Sequence, residues 1–405
     1  MQFINGRKKE KGFRSFLGCA KSRRFGQSTS MDLRLCDVVN KSQLREYVFL
    51  PQHLYSQYPN WVPPLYADEW HFHSPQHNSA LSYSDVIRII AYQGQKPVGR
   101  IMGIINKKYN KKHGERVARF FNLDCINQQE VAAALIRHIE AWAKASGMTK
   151  IIGPYGFSDK DPQGLQVEGF DHLPVVAAPV NPPYLQKLVE AEGYQKELDC
   201  VSYQLTVTKT LPPIFERIYE RIKRHPQLRL IEFKNKRQLK PFIHPVFRLV
   251  NETYATLFGF VPMSEVEINK FAAQYLAVLD PAFVKVVTDE TEGPVAFVVA
   301  MPDMSRGMQK AKGKLFPFGF IHILRSMKKS KQLNLLLGAV RPRFRGKGIT
   351  VLLAKALFES ATRRGLEVVD SHLILESNSL MRAECENIGG KLYKRFRIYQ
   401  KLIRI

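Results

Sequence analysis

The residues most able to do chemistry lie together near the C-terminus. Residues 341–349 read Arg341-Pro342-Arg343-Phe344-Arg345-Gly346-Lys347-Gly348-Ile349. Two glycines one residue apart permit positive φ and close approach of a ligand to the backbone. Apolar residues at Ile349, Leu352, Leu353, Ala356, Leu357 and Ala361 then recur at helical spacing, so a helix begins where the loop ends. Unpaired first-turn N–H groups, the helix dipole and the neighbouring cations converge there on an anion site, most naturally for a pyrophosphate. An ordinary strand-to-helix turn can carry the same glycines, so the loop alone does not decide.

A second group of polar residues lies between Gly153 and Tyr184. Glycines, prolines, aromatics and acids crowd there with little periodicity, as in functional loops. Asp159, Glu168 and Asp171 are candidates to hold a substrate ammonium group; the plainer reading is that such acids cap helices and close turns. The five cysteines (Cys19, Cys36, Cys125, Cys200, Cys385) are scattered, with no C-x-x-C pair. That argues for reduced thiols in a cytosolic protein, and against zinc or a disulfide framework. Cys385 has no His or Asp at a spacing that would make it a nucleophile.

These residues need elements to position them. Leu333–Val340 reads as a buried strand running into the loop, and Leu366–Leu375 as a strand after the helix. Asn378 starts a further helix, and Lys391–Ile405 is a last strand. Upstream, Leu228–Phe233 is a strand, and a helix from Pro241 to Leu257 carries Glu252. Another helix follows Ser264, and 282–288 and 295–301 are two strands. Before Pro212-Pro213 the same alternation appears: a strand at Leu33–Val38, a helix from Lys41 capped by Asn40, a hairpin through Gly94, a helix from Asn127 to Ser146 and a strand at Lys150–Gly153. Strands alternating with helices argue for an α/β fold around a central sheet. The expected domains are 31–205 and 228–405, joined by a linker helix in 206–227, with an insertion at 302–332.

At 405 residues the chain is long enough for two domains. No run approaches the eighteen or so uncharged apolar residues of a membrane span. The net charge of +25 favours anionic partners. Residues 1–30 hold eight Lys/Arg and one acid, and read as a disordered basic tail or a mis-assigned start, with Met31 the alternative. Residues 310–331 hold seven Lys/Arg and no acid. Phe320, Ile323, Leu324 and Met327 would share one helix face there, which suits an anionic membrane surface; the alternative is a helix packed on its own domain. Nucleic acid is disfavoured, because no helix-turn-helix, RNP-like or zinc motif accompanies the charge.

Arg343-Phe344-Arg345-Gly346-Lys347-Gly348 before a helix, then a strand, Asn378, a helix, Gly389-Gly390 and a final strand, resembles motif A and its sequel in the GNAT superfamily of CoA-dependent N-acyltransferases. The resemblance covers roughly 229–405. The N-terminal half has the same order of elements, but Phe120-Phe121-Asn122-Leu123-Asp124 is not followed by Gly-x-Gly, so it looks like a degenerate GNAT-like copy. Gly-Pro-Tyr-Gly-Phe-Ser-Asp, Glu-Gly-Phe-Asp, Asn-Pro-Pro-Tyr and Gly-Gly-Lys-Leu-Tyr-Lys-Arg-Phe-Arg-Ile-Tyr resemble, more closely, a bacterial group that includes the ceramide synthases. The expected fold is therefore α/β, two GNAT-like units with mixed central sheets.

The resemblance implies acyl-CoA as donor, a primary amine as acceptor, direct attack without a covalent enzyme intermediate, and no metal. It places the CoA phosphates on Arg343, Arg345, Gly346, Lys347, Gly348 and Ile349. The thioester carbonyl would lie on backbone N–H groups around Ala339, Val340 and Arg341, and the CoA arm against Asn378. Replacing Gly346 and Gly348 together by glutamate is expected to abolish CoA binding and spare the fold. Where the superfamily often has an acid tyrosine, seven residues after that Asn, this chain has Cys385; Tyr393 or solvent could protonate the thiolate instead. Glu376 and Glu252 are the candidate bases. The bacterial group implies a long-chain sphingoid amine acceptor, while the scattered cysteines and the basic segment 310–331 suit a cytoplasmic protein, peripheral at the inner face of the membrane. Two other functions fit the same residues: a short-chain acetyltransferase acting on a small amine or protein lysine, and a non-catalytic basic adaptor.

Overall fold

The computed structural model describes residues 32–404 apart from 177 and 277. The basic tail expected at 1–30 and the alternative start Met31 lie outside the described residues.

The first half of the chain supplies strands β1 (Leu33–Asp37), β2 (Ser84–Gln93), β3 (Lys96–Asn106), β4 (Val117–Cys125), β5 (Lys150–Gly153), β6 (Leu165–Glu168) and β7 (Gln195–Thr206). Its helices are α1 (Lys41–Tyr55), α2 (Tyr66–Phe72), α3 (Lys107–His113), α4 (Gln129–Ala145) and α5 (Tyr184–Ala191). Helix α6 (Pro213–Lys223) leads into the second half. There the strands are β8 (Leu228–Glu232), β9 (Val284–Asp289), β10 (Gly293–Pro302), β11 (Gln332–Val340), β12 (Val368–Asp370), β13 (Ile374–Leu375) and β14 (Lys391–Leu402). The helices are α7 (Lys236–Leu239), α8 (Ile243–Thr253), α9 (Glu265–Leu276), α10 (Ser305–Ala311), α11 (Gly319–Lys329), α12 (Ile349–Arg363) and α13 (Ser379–Asn387).

Local sequence sets these elements. The Asn40 side chain accepts from the Gln43 N–H while Gln43 returns to the Asn40 backbone, a reciprocal cap that starts α1. Gly94 takes φ +59° and turns β2 into β3. Helix α4 buries Val131, Leu135 and Ile139 against β3 and β4, each worth about 1.5–3 kcal/mol on burial.

The two expected sheets are joined into one of 14 strands, ordered β1-β2-β3-β4-β5-β14-β7-β12-β11-β10-β9-β8, with β13 on β7 and β6 on β14. The join is an exchange. Strand β14, from the second half, pairs with β5 of the first, and β7, from the first, pairs with β12 of the second. Between them β7 and β14 pair with each other. Helix α12 accordingly packs Leu357, Phe358 and Ala361 against Val201, Tyr203 and Leu205 of β7. Neither half completes its core with its own chain.

Three sequence expectations need correction. The strand expected over Leu366–Leu375 is broken: β12 stops at Asp370, His372 adopts φ +56°, and only Ile374–Leu375 returns to the sheet. The segment between Gly153 and Tyr184 contains a strand, β6, because it finds a partner in β14. Phe320, Ile323, Leu324 and Met327 do not share one environment: Ile323 is buried, while Phe320 and Leu324 face outward.

Each half contains a fork between parallel strands. β4 and β5 pair over three residues (Val117–Arg119 with Lys150–Ile152), as do β11 and β12 (Gln332–Asn334 with Val368–Asp370), before each pair separates.

Candidate active site

The fork of β11 and β12 opens at Asn334. Val299 faces Leu337 and Ala300 faces Leu335, so Leu336 is the extra residue of a β-bulge that turns β11 away. Strand β12 leaves the other way, its continuation fixed by the Ser371 N–H donating to the Tyr203 carbonyl at 2.9 Å. From Leu335 to Val340, β11 has β10 on one side and no strand on the other. The Arg341 N–H donates to the Val295 carbonyl at 2.8 Å. Antiparallel alternation therefore turns the N–H groups of Arg341 and Ala339 toward β10, and those of Gly338 and Val340 toward the free edge. Of the amides expected to meet the carbonyl, that of Val340 faces the free edge together with Gly338, while those of Ala339 and Arg341 face β10. The Tyr254 hydroxyl lies on that edge, donating to the Gly338 carbonyl at 2.8 Å.

The free edge ends at the glycine loop. Five residues, Leu336 to Val340, at about 3.3 Å each span roughly 17 Å, the scale of an extended arm carrying amides. Gly346 takes φ +72° in open space. Gly348 takes φ +88° and precedes α12 without any side-chain cap, which leaves first-turn N–H groups for a ligand. A Cβ on Gly348 would stand 2.5 Å from Ile218 Cγ2, so this glycine also lets α12 meet α6. The expectation that the double glutamate substitution spares the fold is thereby corrected.

The cations of the loop divide into two pairs. Arg341 and Arg343 both bind Glu292, Arg341 at 2.7 Å, and Arg341 also reaches Glu252 at 3.2 Å. Arg345 donates through Nε to the Val340 carbonyl at 3.1 Å, and Lys347 sits 5.1 Å from the Phe344 ring centroid. Neither Arg345 nor Lys347 pairs with a carboxylate among the described residues, which leaves these two cations available to an anion. Glu252 belongs with the loop cations, at the far end of the edge from the fork.

The fork of the first half is closed by its own chain. The Tyr155 N–H donates to the Phe120 carbonyl at 2.9 Å, and Arg119 donates to the carbonyls of Gly156 and Phe157 at 2.8 Å. Only residues 126–128 separate β4 from α4, and Gln129 at the start of that helix donates to Leu188 and Glu192 near α5. No anion cradle exists there.

Polar side chains gather at the open fork. Asp370, wholly buried, accepts from the Tyr393 hydroxyl and from the backbone N–H of His372. Asn334, its neighbour across the fork, donates to Asp303 at 3.1 Å. Lys394 donates to the Leu173 carbonyl at 2.6 Å, and burial pulls its ammonium below the usual lysine range. Burial likewise lowers the His372 imidazole, against the pull of Asp370, so the ring is neutral at pH 7. Its Nδ1 is buried and has no hydrogen-bond partner. Burial and the Asp370 charge push the Tyr393 phenol above its ordinary range, which makes it a hydrogen-bond donor and a poor acid.

The other expected residues lie elsewhere. Glu376 pairs with Lys196 at 2.5 Å and with Arg395; the Lys196 hydrogen bond above all holds its carboxyl below the usual range, so it is a weak base. Asn378 caps α13, its side chain accepting from the Met381 N–H. Cys385 is buried in the core, its thiol pushed up to about 12. Glu168 is held by Arg395 at 3.2 Å, and Asp171 lies exposed beside His172 at 3.4 Å. Asp159 is different: burial raises its carboxyl, and its charge acts on the Tyr254 phenol at the β11 edge. His372, Asn334, Asp303 and Tyr254 were missed. The signal for the first was an apolar strand interrupted by Asp370-Ser371-His372.

A bulged strand forking from its parallel neighbour occurs twice in one sheet: closed by its own chain in the first half, and in the second open along a free edge that ends at a Gly-x-Gly helix start. The protein is similar to a tandem GNAT protein from the clavulanic acid biosynthesis pathway, with TM-score 0.54 and 13% identity over 92% of this chain and 99% of that one. The chain has a tandem GNAT fold. It is 29% identical to Protein YghO of Escherichia coli (strain K12) over 90% of this chain and 94% of that protein. It is 29% identical to the bacterial ceramide synthase of Caulobacter vibrioides over 93% of this chain and 99% of that protein. No family model matches the chain.

Proposed function

We propose that this tandem GNAT protein is an acyl-CoA-dependent N-acyltransferase whose acceptor is a long-chain, lipid-borne primary amine. The carrying observation is the free edge of β11, which joins an uncapped glycine-loop helix start to a buried polar fork. Acyl-CoA supplies the activated thioester; Arg345, Lys347 and the N–H groups after Gly348 hold its phosphates, and its arm lies along β11. The N–H groups of Gly338 and Val340 polarise the thioester carbonyl and hold its oxyanion. His372 takes the proton that the amine loses as the C–N bond forms, and returns it to the departing thiolate as the C–S bond breaks. Asp370, held by Tyr393, fixes the backbone of that histidine through its main-chain N–H, and its charge acts on the imidazole. Asp159 is the acid placed to draw an ammonium group toward the edge.

A lipid acceptor has two supports. Leu336, at the bulge, packs on a buried cluster of Val62, Met301, Met304, Met308 and Ile323, and methionine-rich surfaces repack readily around alkyl chains. One relative carries the name bacterial ceramide synthase.

Thiol release by the purified protein tests this, with palmitoyl-CoA and acetyl-CoA each supplied with and without a sphingoid amine in detergent. Release requiring both the long acyl chain and the lipid amine is the expected result. Release with acetyl-CoA and a soluble amine would assign a short-chain acetyltransferase instead. Silence without CoA binding would leave a non-catalytic adaptor.

A further inference from the structure

The chain segment that roofs the apolar cluster has a second face the acyl-transfer chemistry does not use. Helices α10 and α11 form a hairpin, held where Gly307 packs on α11: a Cβ there would stand 2.7 Å from Ile323 Cα. The inner side of the hairpin carries Met304, Met308, Ala311 and Ile323 into the cluster beside Leu336.

Its outer side is apolar too. Phe316 is 80% exposed, Phe318 67%, Phe320 42% and Leu324 54%. These three phenylalanines are the exposed large aromatic residues of the described chain. Phe316 and Phe320 stack loosely at 6.3 Å between ring centroids, so they form a patch rather than scattered residues. Along α11, Phe320, Leu324 and Lys328 make one stripe at i, i+4 and i+8. Arg325 and Lys329 flank it, and Lys310, Lys312 and Lys314 precede it, all exposed. None of these six cations pairs with a carboxylate among the described residues, whereas Lys331, just beyond, is taken by Glu367 at 2.9 Å.

An aqueous surface does not favour three exposed phenylalanines, and a packed protein interface does not favour six unpaired cations around them. An anionic bilayer satisfies both, rings entering the acyl boundary and ammonium groups staying at the headgroups. We propose that the outer face of the α10–α11 hairpin docks on an anionic lipid bilayer. The same short hairpin then touches the membrane on one side and roofs the acyl site on the other, so a lipid amine has a short path from bilayer to fork. Docking itself does not depend on the acyl-transfer reading.

Co-sedimentation of the full chain with phosphatidylglycerol vesicles and with phosphatidylcholine vesicles tests this without any activity readout. Expected is binding to the first and little to the second, weakened on raising salt from about 0.1 M to about 0.5 M. A Phe316→Ser, Phe318→Ser, Phe320→Ser variant should bind about tenfold or more weakly, and Lys328→Glu with Lys329→Glu should do likewise. All these side chains are exposed, so melting should be unchanged. No binding to anionic vesicles, or equal binding by the serine variant, would overturn the proposal; so would retention on duplex DNA with none on vesicles.

Discussion

The hydroxyl of Tyr254 donates to the carbonyl of Gly338 at 2.8 Å, across the one edge of the sheet where an acyl-CoA arm would lie. The Gly338 N–H points back at the same oxygen at 3.4 Å. The phenol thus occupies both backbone groups that a ligand amide or thioester would use. A ligand must displace it, which costs on the order of one hydrogen bond, about 0.5–1.5 kcal/mol. Tyr254→Phe removes that competition and keeps the ring. It should tighten CoA binding roughly two- to tenfold by calorimetry, in line with that energy. Weaker binding would mean that the hydroxyl contacts the ligand.

The two glycines of the loop should respond differently. Gly346 stands in open space, so Gly346→Glu should leave melting nearly unchanged while its carboxylate repels the phosphates beside Arg345 and Lys347. CoA affinity should fall by about tenfold or more, a like-charge cost of over 1.4 kcal/mol. Gly348→Ala forces a Cβ to within 2.5 Å of Ile218 and an L-residue into φ +88°. It should destabilise by about 1–3 kcal/mol in denaturant melts.

If His372 exchanges the proton, the pH profile carries its signature. Burial holds its folded pKa below 6.5, so the neutral, proton-accepting form persists at neutral pH. With acyl-CoA and amine saturating, kcat should therefore hold constant down to about pH 6.5 and fall only below it. His372→Gln should abolish that inflection and lower kcat by about 10²-fold or more. Asp370→Asn should lower kcat and move the inflection further down, because it removes the charge that favours imidazolium. An unshifted profile in Asp370→Asn would make Asp370 merely structural.

The glycine loop, the helix after it and the alternation of both halves were legible because they rest on local rules: positive φ, helical period and caps. The exchange of β7 and β14 was not legible. A twelve-residue strand such as β14 reads the same whichever neighbour it pairs with, and pairing is decided by contacts hundreds of residues apart. The fork cluster was hidden for a related reason. Asp370 and Tyr393 meet only because β12 and β14 flank β7, and Asn334 joins them across β11. Glu376 and Glu252 looked like bases from their places near strand and helix ends. The sequence could not show that Lys196 and Arg395, from other strands, hold Glu376, or that Arg341, from the loop after β11, reaches Glu252.

The exchange itself makes a prediction about stability. Asp199 on β7 is 1% exposed in its side chain and binds Arg397 at 2.9 Å, Lys196 at 3.1 Å and Arg395 at 3.2 Å, two of the three being on β14. Burial alone would raise its carboxyl, but the Arg397 and Lys196 hydrogen bonds outweigh it and hold the pKa below the usual carboxylate range. A depressed folded pKa gives stability that is present above the unfolded value near 3.9 and lost as pH falls through the folded one. Asp199→Asn keeps the shape but removes the charge shared by three cations, which keep only their outer partners Glu376, Glu168 and Glu190. It should cost about 1.5–3 kcal/mol at pH 7, and the gap from wild type should narrow below pH 4. Because β7 completes the core under α12 and β14 completes the sheet beside β5, loss of this pair should unfold both halves in one transition. Two separate transitions in a calorimetric scan of Asp199→Asn would show that each half can close its core without the other's strand.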